Sequence, residues 1–225
     1  MSSAATVTSS TSAIAPAVSV IQSFTPSTPA GFSWRADSTV TPANTSWRDT
    51  GQSFTATEDF SLSAITLRTN NGTNAPALNT TFTLTLYTFA DIYSNTPSST
   101  VATFTGVTSS GSTLAAGTYM TFALDNSVAL TSGVVYGFVL HYDALADNRS
   151  ITFNVSTVSN EYTGGRDLSV YVDTATGLPL TSAFTRGNSL EFYLSGTSSI
   201  PEPSTFALLG GASVLALAIC RRRRS

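Results

Sequence analysis

The chain has 225 residues, enough for one domain of moderate size with appendages, and buries a normal core at that length without a disulfide or metal staple. Only 10% of residues are charged and lysine is absent; with four of the ten arginines at Arg221–Arg224, the preceding chain carries six arginines against thirteen acids. Such an acidic, sparsely charged body lacks the clustered cations a phosphate backbone needs, so no nucleic-acid partner is expected. The single cysteine, Cys220, and the single histidine, His141, exclude an intrachain disulfide and any Cys- or His-rich metal site, and no cofactor is expected.

Serine and threonine make up about a third of the chain, and aromatic and β-branched residues are frequent, a composition that favours packed β-structure over disorder. Residues 1–32 are rich in Ser, Thr, Ala and Pro without sustained periodicity and read as a linker or leader remnant. Met1 to Thr11 holds no basic residue and the apolar stretch Ala13–Ile21 is broken by Pro16, so the expectation is a truncated start with the export leader upstream.

Residues 33–197 read as a β-sandwich ectodomain. Gln52–Thr57 and Phe60–Leu67 come first, the latter alternating so that Ile65 and Leu67 share a face. Thr81–Leu86 alternates strictly, with Phe82, Leu84 and Leu86 inward and threonines outward; Thr100–Thr105 follows, then Tyr119–Leu124 with Met120, Phe122 and Leu124 on one face. Val134–Tyr142 is apolar on both faces, as a central strand would be. Ile151–Val155, Leu168–Val172 and Leu190–Leu194 complete about nine strands, separated by turn signals such as Ser132-Gly133 and Gly164-Gly165. The fold class expected is all-β: an antiparallel, jelly-roll-like sandwich plus one short C-terminal transmembrane helix.

Residues 198–225 read as a tail in three parts. Pro201-Glu202-Pro203 is followed by the uncharged stretch Phe206–Cys220 and then by Arg221, Arg222, Arg223 and Arg224. As a helix, Phe206–Cys220 spans about 22 Å, or about 25 Å with Ser204 and Thr205, short of the roughly 30 Å bilayer core. Snorkelling arginines extend its reach and hold that end cytoplasmic, with the β domain outside. This order of parts resembles the PEP-CTERM sorting signal of Gram-negative bacteria. The resemblance implies recognition and cleavage near Pro201-Glu202-Pro203 by an exosortase-type membrane peptidase, transient anchoring in the inner membrane, and release to the cell envelope or extracellular matrix. An exopolysaccharide is a candidate partner of the released body. The pieces Gln52-Ser-Phe54, Leu62–Leu67 and Leu130–Leu140 more loosely resemble the choice-of-anchor β domains that precede such tails, a name that implies no chemistry.

No sequence pattern marks a catalytic centre, and a non-enzymatic body is expected. His141, beside Tyr142 and Asp143 at a strand end, lacks a Gly-x-Ser-x-Gly partner and reads as a hydrogen-bonded strand-end histidine. Asp143, Asp147, Glu161, Asp167 and Asp173 fall in late loops without the spacing of a glycosidase pair or a calcium loop, and read as solvated turn carboxylates. Trp34, Trp47, Tyr93, Tyr162 and Tyr171 are candidates for sugar-stacking platforms, against the expectation that both tryptophans cover one end of the core. A glycan-binding module is therefore the alternative reading, and a secreted polysaccharide hydrolase the third. Sequons at Asn44, Asn71, Asn79, Asn148 and Asn154 are no more than a Ser/Thr-rich chain produces by chance.

Overall fold

The computed structural model describes residues 5–17, 19–36, 47–70, 80–108, 115–143, 150–172, 176, 179, 183–184 and 187–199. Every regular element among them is a strand: β1 (Thr6–Ser12), β2 (Val20–Phe24), β3 (Pro29–Ala36), β4 (Trp47–Thr55), β5 (Phe60–Arg68), β6 (Thr81–Phe89), β7 (Ser99–Val107), β8 (Tyr119–Leu130), β9 (Val135–Tyr142), β10 (Ser150–Ser156), β11 (Asp167–Tyr171) and β12 (Phe192–Ser198). The nine segments expected from alternation correspond to β4–β12.

Alternation works here because one face of each strand is dry. In β6, Phe82, Leu84 and Leu86 are fully buried while the intervening threonines face outward. In β5, Phe60 and Leu62 point inward, and so do Ile65 and Leu67, although the two pairs are out of phase. A bulge between Leu62 and Ala64, where β5 pairs with β8, supplies the extra residue that resets the phase. The expected Ser132-Gly133 turn joins β8 to β9, with Gly133 at φ +79° and its N–H donating to Ala56 O.

The strands form one sheet in the order β10-β3-β4-β9-β6-β7-β1-β8-β5-β12-β2, with β11 also on β4, and the sheet curls into a half-barrel. Residues 1–32, expected as linker, contain β1, β2 and the start of β3, and β1 is the joint of the sheet. It runs parallel to β7 over Thr6–Thr8 and antiparallel to β8 over Val7–Ser12. Without it, the strand pairing between the β10-to-β7 and β8-to-β2 halves would come down, among the described residues, to isolated bridges, Thr69 to Phe153 and Val155 to Leu190. The sandwich expected as two antiparallel sheets is thus a single curled sheet with one parallel pairing. The pattern hid β1 because Val7 is its only buried apolar side chain; backbone ladders on both edges hold it, together with Thr6, whose N–H and hydroxyl both donate to Asp125 at 2.9 Å.

The concave side encloses the main core. Trp34 of β3 lies fully buried at its centre, stacked on Tyr142 (3.8 Å between centroids, 6°) and edge-on to Phe82 and to Phe122 of the opposite half. A second cluster, Phe89, Val135, Val139 and Leu168, covers the other face of β9 beneath Tyr87, Ile92 and Phe184. Burial on both faces explains the unbroken apolar run of β9, which lies between β4 and β6. Gly137 permits that second layer: a Cβ there would come within 2.7 Å of Phe89 and 2.8 Å of Leu168.

Candidate functional site

Three polar sites stand out among the described residues. The first is built where β4 and β9 pair. His141 Nδ1 lies 2.9 Å from Asp49 Oδ1, and the Trp47 ring stacks over the imidazole at 5.6 Å and 17°. The partner is therefore Asp49, on a neighbouring strand, and not Asp143 beside it in sequence, which instead accepts the Thr83 hydroxyl at 2.7 Å. Burial pushes the Asp49 carboxyl up, more than the His141 hydrogen bond and charge pull it down. Burial alone would lower His141, but the hydrogen bond and charge of Asp49, with Asp143, outweigh it and raise the imidazole above its ordinary 6.5. No serine or threonine hydroxyl is hydrogen-bonded to His141 among the described residues, so within them the imidazole has an orienting acid and no hydroxyl partner.

The sign of the pH dependence follows. A raised histidine contributes stability that is fully present below about 6.5 and is lost as pH climbs through the raised value. Asp49, also raised, costs stability as it ionises above its ordinary 3.8. We expect His141→Gln to lower stability by about 2 kcal/mol near pH 6, since it strips a buried carboxylate of its charged partner. The difference from wild type should shrink as pH rises through the raised histidine value. Urea midpoints measured across that range check it; a difference independent of pH would mean that the imidazole is held neutral.

The second site is a polar network in a cleft of about 180 Å³ lined by Pro29, Arg68, Thr69, Asn70, Ala116, Gly117 and Asn154. Glu191, almost wholly buried, accepts from Asn154 Nδ2 at 2.8 Å and from the Tyr193 hydroxyl at 2.9 Å, with Arg68 3.7 Å away. Burial pushes Tyr193 up to about 12. Asn154, the one sequon residue among those described, is buried with its amide nitrogen spent on Glu191, so it is closed to glycosylation in the folded protein.

The third is a cleft of about 390 Å³ where the β6–β7 connection meets the β10–β11 connection, lined by Ile92, Tyr93, Asn160, Tyr162, Thr163, Gly165 and Arg166. Tyr93 is 71% exposed, and the Arg166 guanidinium sits 5.5 Å from its ring centroid. Tyr162 packs on Phe24 and Phe192 and accepts a hydrogen bond from Gln22 Nε2 at 2.7 Å; burial pushes its phenol up to about 12.

The structure thus sorts the sequence candidates. Trp34 and Trp47 are core residues and offer no sugar platform. Tyr93 and Tyr162 come together in one cleft, while Tyr171 lies on β11, apart from its lining. Glu161 accepts from Ser27 N and the Ser156 hydroxyl, bonds that hold its carboxyl below the usual range, and Asp167 is buried, accepting from Gly187 N. Both are tied to their own scaffold; Asp167, buried, is not the solvated turn carboxylate expected, whereas Glu161 stays partly exposed in its turn. Asp147 and Asp173, and the sequons Asn44, Asn71, Asn79 and Asn148, lie outside the described residues. Asp49 and Arg166 were not singled out from sequence: each gains its setting from a segment distant in the chain.

Pro201, Glu202, Pro203, the stretch Phe206–Cys220 and Arg221–Arg224 also lie outside the described residues; among those described, no helix is long and apolar enough to cross a membrane. Comparison with curated proteins gives no match. Residues 199–224 match the PEP-CTERM protein-sorting motif. The chain therefore carries a PEP-CTERM sorting signal, which marks it as an exosortase-sorted protein exported to the cell envelope.

Proposed function

We propose that this chain is a non-catalytic β-domain protein of a Gram-negative envelope or extracellular matrix, held briefly in the inner membrane and then released by cleavage near Pro201-Glu202-Pro203. The sorting motif at residues 199–224 carries the reading. Phe206–Cys220 supplies the transmembrane helix, and Arg221–Arg224 keep that end on the cytoplasmic side. Among the described residues, the last strand closes before the tail begins. β12 ends with Ser198 opposite Phe60, and the Ser199 N–H donates to Asp59 O at 2.9 Å. A cut beyond residue 200 therefore leaves intact every ladder formed by the described residues.

The non-catalytic part of the reading is supported at His141. Its Nδ1 is spent on buried Asp49, and no hydroxyl nucleophile is hydrogen-bonded to it among the described residues. The test is fractionation of an exosortase-bearing host, together with a hydrolysis screen on polysaccharides. The expected result is tailless protein at the surface or in the medium, with no turnover above that of His141→Ala. Full-length protein confined to the inner membrane would overturn the sorting half. Turnover abolished by His141→Ala would overturn the other.

A further inference from the structure

We infer that the cleft walled by Tyr93, Asn160, Tyr162 and Arg166 binds an acidic oligosaccharide of the uronate type. The site goes beyond the sorting reading and does not depend on it. Its volume, about 390 Å³, is within the range of small-ligand sites and admits a sugar ring.

The chemistry of the walls selects the ligand. Tyr93 leaves a large ring face to solvent, 71% exposed, where burial would be the usual fate of so much apolar area. The C–H face of a pyranose is the complement of such a ring. Asn160 and Thr163 bring an amide and a hydroxyl to the same cleft, and these can exchange hydrogen bonds with sugar hydroxyls. Arg166 supplies a planar cation suited to a carboxylate.

The charge of the cleft is what separates an acidic sugar from a neutral one. The chain is net negative, yet no carboxylate lines this cleft among the described residues. The nearest acids in sequence are all engaged elsewhere. Asp91 accepts from the Tyr93 and Ser94 N–H groups, Glu161 from Ser27 N and the Ser156 hydroxyl, and Asp167 from Gly187 N. Arg166 makes no ion pair among the described residues, and its one aromatic contact is with Tyr93.

The walls are also fixed before any ligand arrives. The backbone of Arg166 is clamped by Ser53: its N–H donates to Ser53 Oγ at 2.9 Å and its carbonyl accepts from Ser53 N at 2.7 Å. Gly164 lets the Tyr162 phenol pass, since a Cβ there would come 2.6 Å from the phenolic oxygen. A site with this much of its backbone held pays little ordering entropy on binding.

The experiment is calorimetric titration of the full chain in detergent with an oligogalacturonate, its methyl ester and an oligoglutamate of matched length. The oligogalacturonate is expected to bind, with the ester and the oligoglutamate each at least about tenfold weaker. Arg166→Gln and Tyr93→Ala should each raise Kd about tenfold, and Tyr93→Trp should keep the affinity. The proposal is overturned if the oligogalacturonate gives no binding, or if the ester binds as tightly, because charge then plays no part. It is overturned equally if the oligoglutamate matches the sugar, which would make the site a reader of acidic peptide. The ester and peptide comparisons use wild-type protein, so they decide the matter even if a variant misfolds.

Discussion

Expressed behind a secretory leader in a host with an exosortase, the chain is expected to lose everything beyond about residues 200–204. The double variant Pro201→Ala/Pro203→Ala should stay full-length and membrane-bound. On the proposed reading, with Phe206–Cys220 as a transmembrane helix, the two prolines would remove backbone donors and disfavour its continuation outward, so that an extended segment at the membrane face would be open to a peptidase. Glu202 places one negative charge beside that segment. Alanines at 201 and 203 would let the helix run on and withdraw the peptide from an extended-strand site. Arg221–Arg224 hold the substrate in place, since drawing each arginine to the bilayer centre costs about 2.5–3.5 kcal/mol on insertion scales. In such a helix, Gly210-Gly211 would weaken the middle of the span and allow close packing against the enzyme. Intact-mass measurement decides: if the wild type keeps all four arginines in such a host, the tail is an anchor alone and the cleavage claim fails.

How much of this was legible in the sequence depended on where the stabilising contacts come from. Most of β4–β12 announce themselves by an apolar face that is buried, as Phe82, Leu84 and Leu86 are in β6, and β9 by two such faces. β1 has no such face; it is a strand because β7 and β8 both lack a partner where it lies, a fact of topology that no local pattern encodes. β3 starts at Pro29, inside the stretch that reads as linker, yet its Trp34 is the centre of the core. The same split runs through the sites. That His141 is hydrogen-bonded was readable from its strand-end position. That its partner is Asp49, 92 residues away, was not, because that pairing is fixed by the register of β4 against β9. Tyr93 and Tyr162 were recognisable as types, but only the meeting of their two connections brings Arg166 against them.

Trp34→Ala is expected to be the most damaging single substitution in the body, at about 3–5 kcal/mol, a large share of the roughly 5–15 kcal/mol that holds a typical domain. The indole is fully buried, stacked on Tyr142 of β9 and, at 6.5 Å, on Phe153 of β10, with its edge toward Phe82 and Phe122. Phe122 belongs to β8, in the other half of the curled sheet, so the ring helps hold the halves together on the concave side while β1 joins them through backbone at the seam. Alanine leaves a cavity walled by aromatic rings that cannot collapse into it without breaking their own stacking. Trp34→Phe should behave differently. It gives up part of the contact area, but it also removes the indole N–H, a buried donor with no partner among the described residues. An unsatisfied buried donor costs about 1–3 kcal/mol, so the two changes offset and the net loss should stay under about 2 kcal/mol. Urea unfolding of the chain in detergent, followed by the fluorescence of Trp47 in both variants, measures the two losses on one scale. Equal losses for alanine and phenylalanine would show that the indole N–H is satisfied and that its removal, and not the cavity, dominates.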